Sequence, residues 1–255
     1  MFKNIFFYLS YQLGRWVSVG GIPVLLYHSI SDSDWQFAVS PADFNRQIGW
    51  LNGRYICVTT KDVVDWVEGR KTLASNSIAI TFDDGYEDVF TQALPILRRY
   101  DFKATVFVTG NRQPNRRVLG NTFTLLNGFQ LKSLVREGWG IESHSQTHQL
   151  LTELNRQLLD RELRSPLQAI RKITQKDVTS IAYPKGVFNE LVKEGAARYY
   201  RAAWSIVPGF NRQNDDLYAL KRIEVKRDTS LMAFKAHLTK TVEFIQGLKR
   251  WYGKK

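Results

Sequence analysis

Runs of apolar, often β-branched residues alternate along the chain with segments whose apolar residues recur at helical spacing. Several runs are nearly continuous, which is typical of parallel strands covered on both faces. The runs predict strands at 22–27, 55–59, 77–82, 104–109, 140–143, 178–183, 202–207 and 220–225. Helical patterns at 86–100, 131–137, 152–174 and 190–199 lie between them, and Ser40 and Thr60 are predicted N-caps of two earlier helices.

About eight strands alternating with helices in 255 residues favours an α/β fold of the β/α barrel type. An open, doubly wound sheet is the alternative, but no glycine-rich dinucleotide turn follows the first strand. The chain has no internal repeat, low-complexity tract or Gly/Ser linker, so we expect a single domain.

Both ends of the chain carry amphipathic patterns. In residues 1–20 the pattern predicts a helix that either packs on its own domain or lies on a membrane surface. Residues 229–255 predict a final amphipathic helix and a basic tail. The apolar positions are Phe2, Ile5, Phe6, Leu9, Leu13 and Trp16 at the first end, and Leu231, Phe234, Leu238, Ile245 and Leu248 at the second.

No stretch reaches the roughly 20 apolar residues that cross a bilayer. A secretory signal is only weakly indicated, since no convincing small-residue cleavage site follows the first apolar stretch. We therefore expect a cytoplasmic protein or one that is peripheral at the membrane, with export left open.

The chain has 36 Lys and Arg against 24 Asp and Glu, a net charge of +12, which attracts polyanions in general. The basic residues are scattered, with small clusters such as 112–117, and no zinc finger or RNA-binding aromatic motif is present, so we expect no nucleic-acid partner. The single cysteine, Cys57, excludes a disulfide framework and a thiolate cluster. It lies in an apolar run and is predicted to be buried and inert. We expect a monomer.

Two polar features follow predicted strands and point to chemistry. Asp83 and Asp84 end an apolar strand and are followed by a glycine, and a turn with capping acids is the simplest interpretation of that pair alone. His144 and His148 have i, i+4 spacing, which would place both imidazoles on one side of a helical turn. Together the features supply two histidines and a carboxylate for a divalent metal, with one carboxylate left for proton transfer.

Further candidates lie at other predicted strand ends, where β/α barrels build their active sites. His28 ends the first strand. Tyr183, Pro184, Lys185 and Trp204 lie at or near two later strand ends and could contact a substrate, although core packing is an equal alternative for Trp204.

At these residues the sequence resembles the polysaccharide deacetylases with the NodB-homology domain, carbohydrate esterase family four. Thr81-Phe82-Asp83-Asp84-Gly85 resembles the family's first motif, and His144-Ser145-Gln146-Thr147-His148 its second. The resemblance implies a distorted, TIM-like β/α barrel in residues 21–228 and metal-dependent removal of N-acetyl groups from amino sugars. It further implies that Asp84, His144 and His148 bind the metal and that Asp83 is the catalytic base.

The sequence departs from the family pattern in two places. The third motif resembles residues 182–186 but lacks the arginine that would pair with the base, and Arg222 at another strand end is a possible substitute. The late Leu-x-His motif, which supplies the general acid, is absent, and the late His237 falls in the final helix, where we expect it at the surface. However, Tyr27-His28-Ser29-Ile30 resembles a segment of the poly-N-acetylglucosamine deacetylase subgroup, whose barrel is circularly permuted. The resemblance to that subgroup implies that His28 is the acid.

The chemistry is also coherent without the family. A divalent ion at Asp84, His144 and His148 leaves open positions and acidifies water, and Asp83 can accept the proton. A backbone N–H near Lys185 would stabilise the oxyanion, and His28 would protonate the leaving amine. This ligand set suits zinc, and cobalt, nickel or iron would fit it too.

The predicted partner is therefore an N-acetylated glycan. One alternative is a deacetylase or deformylase of a lipid-linked amino sugar at the membrane, and another is a glycan-binding domain without activity. A metal-dependent phosphoesterase is less favoured, because no second His/Asp cluster is visible in the sequence.

Overall fold

The computed structural model describes Phe7, Tyr8, Gln12 and residues 20–239, except Arg112 and Leu119. The strands of this part are β1 (Ile22–Tyr27), β2 (Ser29–Ile30), β3 (Ala38–Val39), β4 (Ile56–Val58), β5 (Ser77–Phe82), β6 (Thr105–Val108), β7 (Asn115–Val118), β8 (Asn121–Thr124), β9 (Gly140–Ser143), β10 (Ser180–Ala182), β11 (Ala202–Trp204), β12 (Phe210–Asn211) and β13 (Ile223–Glu224). The α-helices are α1 (Pro41–Leu51), α2 (Thr60–Val67), α3 (Leu94–Arg99), α4 (Gly128–Arg136), α5 (Arg156–Thr174), α6 (Glu190–Ala197) and α7 (Leu231–His237).

The main sheet has the order β11-β10-β9-β6-β5-β1-β12, with β13 also paired to β1 and β4 to β5. All of these pairs are parallel except β1 with β12. Leu220 forms a bridge with Trp204 of β11, and β13, which follows Leu220, pairs with β1. This segment therefore lies between β11 and β1 in the curled sheet. The predicted α/β fold with a distorted, barrel-like sheet is confirmed.

Each predicted apolar run contains a strand, and three runs, those of β1, β5 and β9, match a strand from end to end. All six residues of β1 and all six of β5 are buried, because the strands are covered on both faces and have no polar side. Ser40 caps α1, as predicted, by accepting a hydrogen bond from the Asp43 N–H. The prediction of Thr60 as a cap is wrong by one residue, because Thr59 caps α2 in a capping box with Asp62.

Two pairs of short strands were not predicted from the sequence. β2 and β3 form a two-residue parallel pair, and β7 and β8 form an antiparallel hairpin. The side chains of β7 alternate between exposed and half-buried, so the hairpin has no apolar run that would mark it.

The predicted terminal helices lie largely outside the described residues. Phe7 and Tyr8 are helical, and the Phe7 ring meets the edge of the His237 ring at 5.6 Å between centroids, so His237 is half-buried and not at the surface as predicted. The rest of the first helix, including its predicted membrane contact, and the second helix beyond residue 239, with Ile245 and Leu248, lie outside the described part. In α7, Phe234 is buried as its predicted apolar face requires. The helices of the described residues include none with the length and apolar character to cross a membrane.

Candidate metal and active site

A sharp turn at the end of β5 separates the two adjacent carboxylates. Asp84 has a φ of 69° and Gly85 a φ of 72°. A Cβ on Gly85 would lie 2.7 Å from Val108 Cγ1, so both the backbone and the space require glycine. The turn lets Asp83 and Asp84 make different contacts although they are neighbours in sequence.

The two histidines lie in a loop after β9 and not on a helical turn, so that part of the prediction is wrong. Ser145 and His148 both have a φ of 64°, which a helix does not allow. The ring centroids of His144 and His148 are nevertheless 4.8 Å apart. The loop therefore achieves the proximity that the spacing suggested.

The buried carboxylate of Glu162, on α5, fixes the backbone of this loop. It accepts hydrogen bonds from the N–H groups of Gln146 (3.0 Å) and Thr147 (2.9 Å), and from the Thr147 hydroxyl (2.7 Å). The Ser145 hydroxyl accepts a further bond from the His148 N–H at 2.9 Å. These bonds hold a conformation that non-glycine residues rarely adopt.

Asp84, His144 and His148 present ligand atoms that all lie within 4.8 Å of one another. Asp84 Oδ1 is 3.3 Å from His148 Nε2 and 3.7 Å from His144 Nε2. His144 Nδ1 is 2.8 Å from the Ala182 carbonyl oxygen, to which it can donate only as N–H. That bond leaves His144 Nε2 as the lone-pair nitrogen facing Asp84, the arrangement that second-sphere contacts give to metal-binding histidines.

The charge states of these groups suit a metal ligand set. Burial, with His144 nearby, lowers the pKa of His148 to about 3, and burial also lowers the pKa of His144. Burial alone would raise the pKa of Asp84, but the histidines and Arg116 outweigh it and hold the pKa far below its ordinary value. Near neutral pH the site therefore offers two neutral imidazoles and a carboxylate, the forms that bind a divalent ion.

Two further side chains hold the Asp84 carboxylate. The Tyr86 hydroxyl donates a hydrogen bond to Oδ2 at 2.9 Å, and Arg116 of β7 forms an ion pair with Oδ1. Main-chain bonds attach the end of the hairpin to the β5 turn, from Leu126 N–H to the Gly85 oxygen and from Glu87 N–H to the Thr124 oxygen. The hairpin is thus fixed beside the ligand set.

Arg222 forms an ion pair with Asp83. The guanidinium, completely buried, donates to both carboxylate oxygens and, through Nε, to the Ser205 carbonyl oxygen at 2.9 Å. Burial alone would raise the pKa of Asp83, but Arg222 and His144 lower it below the ordinary value. The carboxylate is therefore ionised at neutral pH, and the arginine that pairs with it precedes β13 and does not come from residues 182–186.

His28 lies in the wall of the same cavity, held by aromatic rings. Its ring centroid is 4.9 Å from that of Phe37 and 5.8 Å from that of Trp35. Nδ1 is buried without a hydrogen-bond partner in the described part of the chain. The ring lines the same cavity as Asp83 and Asp84.

A cavity of about 620 Å³ unites these groups and is lined by His28, Trp35, Phe37, Asp83, Asp84, Tyr86, Arg116, Arg117, Val118, His144, His148, Lys185, Gly186, Ile206 and Glu224. Of the residues predicted to contact substrate, Lys185 lies in this wall. Tyr183, Pro184 and Trp204 are buried and are not among the residues that line this cavity. Tyr183 donates a hydrogen bond to the Tyr218 carbonyl oxygen at 3.0 Å, and Trp204 belongs to an apolar core cluster, so the packing alternative describes it.

Sequence reasoning missed the residues that surround the predicted ones. Arg116 lies in the basic cluster noted at 112–117, but that cluster alone did not connect it to Asp84. Trp35 and Phe37 lie in a polar connection without periodicity, and Glu162 faces the histidine loop from a helix whose pattern is otherwise ordinary. Only the tertiary structure brings these residues to the site.

Comparison with known proteins agrees with this geometry. Residues 70–203 match the profile of the family described as polysaccharide deacetylase. The chain is 30% identical over 219 residues, 85% of its length and 76% of the relative's, to YxkH of Bacillus subtilis (strain 168), which is named as a candidate polysaccharide deacetylase. It is 24% identical over 242 residues, 90% of its length and 77% of the relative's, to a poly-beta-1,6-N-acetyl-D-glucosamine N-deacetylase of Staphylococcus aureus (strain MRSA252).

A solved structure shows the same fold. The Streptococcus pyogenes deacetylase PplD, in complex with acetate, superimposes with a TM-score of 0.75 at 24% sequence identity. The similarity covers 84% of this chain and 96% of that one.

Proposed function

Because the chain belongs to the polysaccharide deacetylase family, we propose that it hydrolyses N-acetyl groups of an amino-sugar glycan of the N-acetylglucosamine type, with one divalent metal ion. The observation that carries the proposal is the set Asp84, His144 and His148 beside a second carboxylate, Asp83, whose partner is Arg222. The name of the Staphylococcus aureus relative supports an N-acetylglucosamine substrate.

Asp84, His144 and His148 would hold the ion, and zinc suits this donor set best. When bound, a divalent ion supplies polarisation of the acetyl carbonyl and acidification of water. The ion pair of Asp84 with Arg116 and the bond from Tyr86 orient the carboxylate.

Asp83 is the proposed general base. Its low pKa keeps it ionised, and Arg222 holds both oxygens so that a remaining lone pair can accept a proton from the attacking water. As the water oxygen bonds to the acetyl carbon, the carbonyl oxygen becomes negative. The Lys185 N–H donates to no partner in the described residues, whereas the Gly186 N–H donates to the Tyr183 oxygen at 2.8 Å. The Lys185 N–H is therefore the amide of this turn that can stabilise the oxyanion.

His28 is the proposed general acid. An amine is a poor leaving group unless it is protonated, and Nε2 of His28 can deliver that proton as the carbon–nitrogen bond breaks. The products are acetate and a free amino sugar.

The test is to incubate the purified full-length protein, loaded with zinc, with N-acetylglucosamine oligomers of β-1,4 and β-1,6 linkage and to measure free amine and acetate. We expect equal amounts of the two products, loss of activity in a chelator, and its return on adding metal. If both substrates stay intact at stoichiometric metal, the proposal fails for N-acetylglucosamine glycans.

A further inference from the structure

The carboxylates that line the cavity already have cationic partners. Each pairs with an arginine or lysine in the described structure: Asp83 with Arg222, Asp84 with Arg116, and Glu224 with Lys226. The acidic groups of the wall are therefore neutralised by the protein itself.

Two further cations line the same cavity and are exposed, Arg117 on β7 and Lys185 in the turn after β10. Neither has an ion-pair partner within the described ranges. The cavity thus carries an excess of positive charge before any metal ion is considered, and this excess is accessible to a ligand.

Both cations lie on backbone that other contacts fix. Arg117 belongs to the hairpin, whose strands pair with each other and whose far end is bonded to the β5 turn. Lys185 has a left-handed φ of 55°, stabilised by the bond from the Gly186 N–H to the Tyr183 oxygen. The main-chain positions that carry the two positive charges are therefore fixed at the wall, and their side chains are exposed.

We propose that Arg117 and Lys185 form a subsite for an anionic oxygen group, a phosphate or a carboxylate, on the glycan whose N-acetyl group is hydrolysed. The inference rests on the proposed function and names the substrate class of the same site. Guanidinium and ammonium groups both bind such oxygen groups, arginine through two parallel hydrogen bonds and lysine as a point charge.

The charge of the whole chain supports the same substrate class. Each N-acetyl group removed leaves an amine that becomes cationic on protonation, so a neutral glycan turns into a polycation as the reaction proceeds. A protein with a net charge of +12 repels such a product and attracts an anionic glycan. A substrate that carries its own anionic groups stays attracted to the basic protein after several of its N-acetyl groups have been removed, because the anionic groups remain.

The test compares three oligosaccharides of equal length: neutral N-acetylglucosamine oligomers, oligomers that alternate N-acetylglucosamine with a uronate, and N-acetylglucosamine units joined by phosphodiesters. Binding is measured by calorimetry, and amine release is measured as kcat/KM, at about 50 and 500 mM salt. The variants are Arg117→Gln with Lys185→Gln and, as a matched control with the same charge change, Lys132→Gln with Arg136→Gln on the exposed face of α4.

We expect the unmodified protein to prefer at least one anionic oligomer by about 10-fold at low salt, since each exposed charge pair contributes a few-fold to binding. High salt should reduce the preference, because it screens exposed charges. The Arg117/Lys185 variant should bind the anionic and neutral oligomers within about 2-fold of each other, while the control keeps the preference. The oligomer that is preferred identifies phosphate or carboxylate as the group recognised.

Equal binding of all three oligomers by the unmodified protein would overturn the inference. So would an equal loss of preference in the control variant, because net charge alone would then explain it. Absence of amine release from every oligomer, with the binding preference intact, would contradict the proposed function and still support the subsite.

Discussion

Arg222 donates to both oxygens of Asp83, from Nη1 to Oδ1 at 2.7 Å and from Nη2 to Oδ2 at 2.8 Å. Both side chains are buried, so each charge is compensated by the other and not by water. The two parallel bonds fix the plane of the carboxylate, and the proposed base therefore has a defined direction toward the cavity.

Arg222→Lys should lower both stability and amine release, because one ammonium group cannot replace two parallel hydrogen bonds. We expect the free energy of unfolding to fall by about 1–3 kcal/mol, measured by urea denaturation, and kcat/KM to fall at least about 10-fold. Arg171→Lys is the control, since Arg171 pairs with Asp177 at the surface and its replacement should change neither quantity. An unchanged stability of Arg222→Lys would contradict the account of this pair.

Alanine at Asp84, His144 or His148 should remove most of the bound metal, because three protein ligands leave no redundancy. The measurement is elemental analysis after dialysis against metal-free buffer. His237→Ala is the matched control and should keep the metal. Stoichiometric metal in His144→Ala would count decisively against this site.

His28→Ala and Asp83→Asn should separate the two proton transfers. Each general acid or base contributes about 10² to 10⁴ in rate. His28→Ala should slow amide hydrolysis far more than hydrolysis of an activated ester, whose leaving group departs without a proton. Asp83→Asn should slow both substrates alike. The ratio of the two rates is the observable, and an equal loss of both in His28→Ala with its metal intact would show that His28 is not the acid.

Glu162→Ala should weaken metal binding although Glu162 is not a ligand, because it removes the carboxylate that accepts from the N–H groups of Gln146 and Thr147. The Gln146 N–H then keeps only the main-chain oxygen of position 162 as an acceptor. We expect the zinc dissociation constant to rise by about 10- to 100-fold, as measured by competition with a chromophoric chelator. Glu162→Gln keeps one acceptor oxygen and should have a smaller effect, and Glu153→Ala, an exposed position, should have none. Equal affinity in Glu162→Ala and Glu153→Ala would refute a role for Glu162 in holding the loop.

Cys57 should react slowly with thiol reagents. Cys57 is half-buried and not fully buried as predicted. Its desolvation nevertheless raises the pKa of the thiol from 9.0 to about 11, although a main-chain hydrogen bond with Lys103 lowers it. The thiolate is the reactive form, so its fraction at pH 8 should be about 100-fold lower than for an ordinary thiol. Alkylation followed by mass spectrometry should show a rate that still rises between pH 8 and 10, and unfolding in urea should restore the ordinary rate. A fast reaction of the folded protein at pH 8 would exclude the raised pKa.

Local sequence patterns predicted the strands in which every residue has the same degree of burial. β1 and β5 lie in the centre of the sheet with every residue buried, so their sequences are continuously apolar and their limits are visible. The residues just beyond such strands could then be assigned to one rim. This is why His28, Asp83 and His144 could be predicted together.

The remaining features depend on contacts between distant segments. The spacing of His144 and His148 suggested a helical turn, but Glu162 and Ser145 stabilise a left-handed loop, and hydrogen bonds from a separate helix leave no local pattern. The aromatic wall at Trp35 and Phe37 was missed for the same reason, since Trp35 packs against Phe123 of the hairpin and Phe37 against His28 and Lys226.

The position of Arg222 also has a consequence for biosynthesis. It lies 139 residues after Asp83, so a growing chain presents the acidic pair and both histidines long before the arginine. Until that residue arrives, enclosing Asp83 would leave an uncompensated charge, and β1 lacks its partner β13. We expect prematurely terminated chains to be unable to close the barrel around Asp83, so the proposed hydrolysis should appear only when β13 has been made.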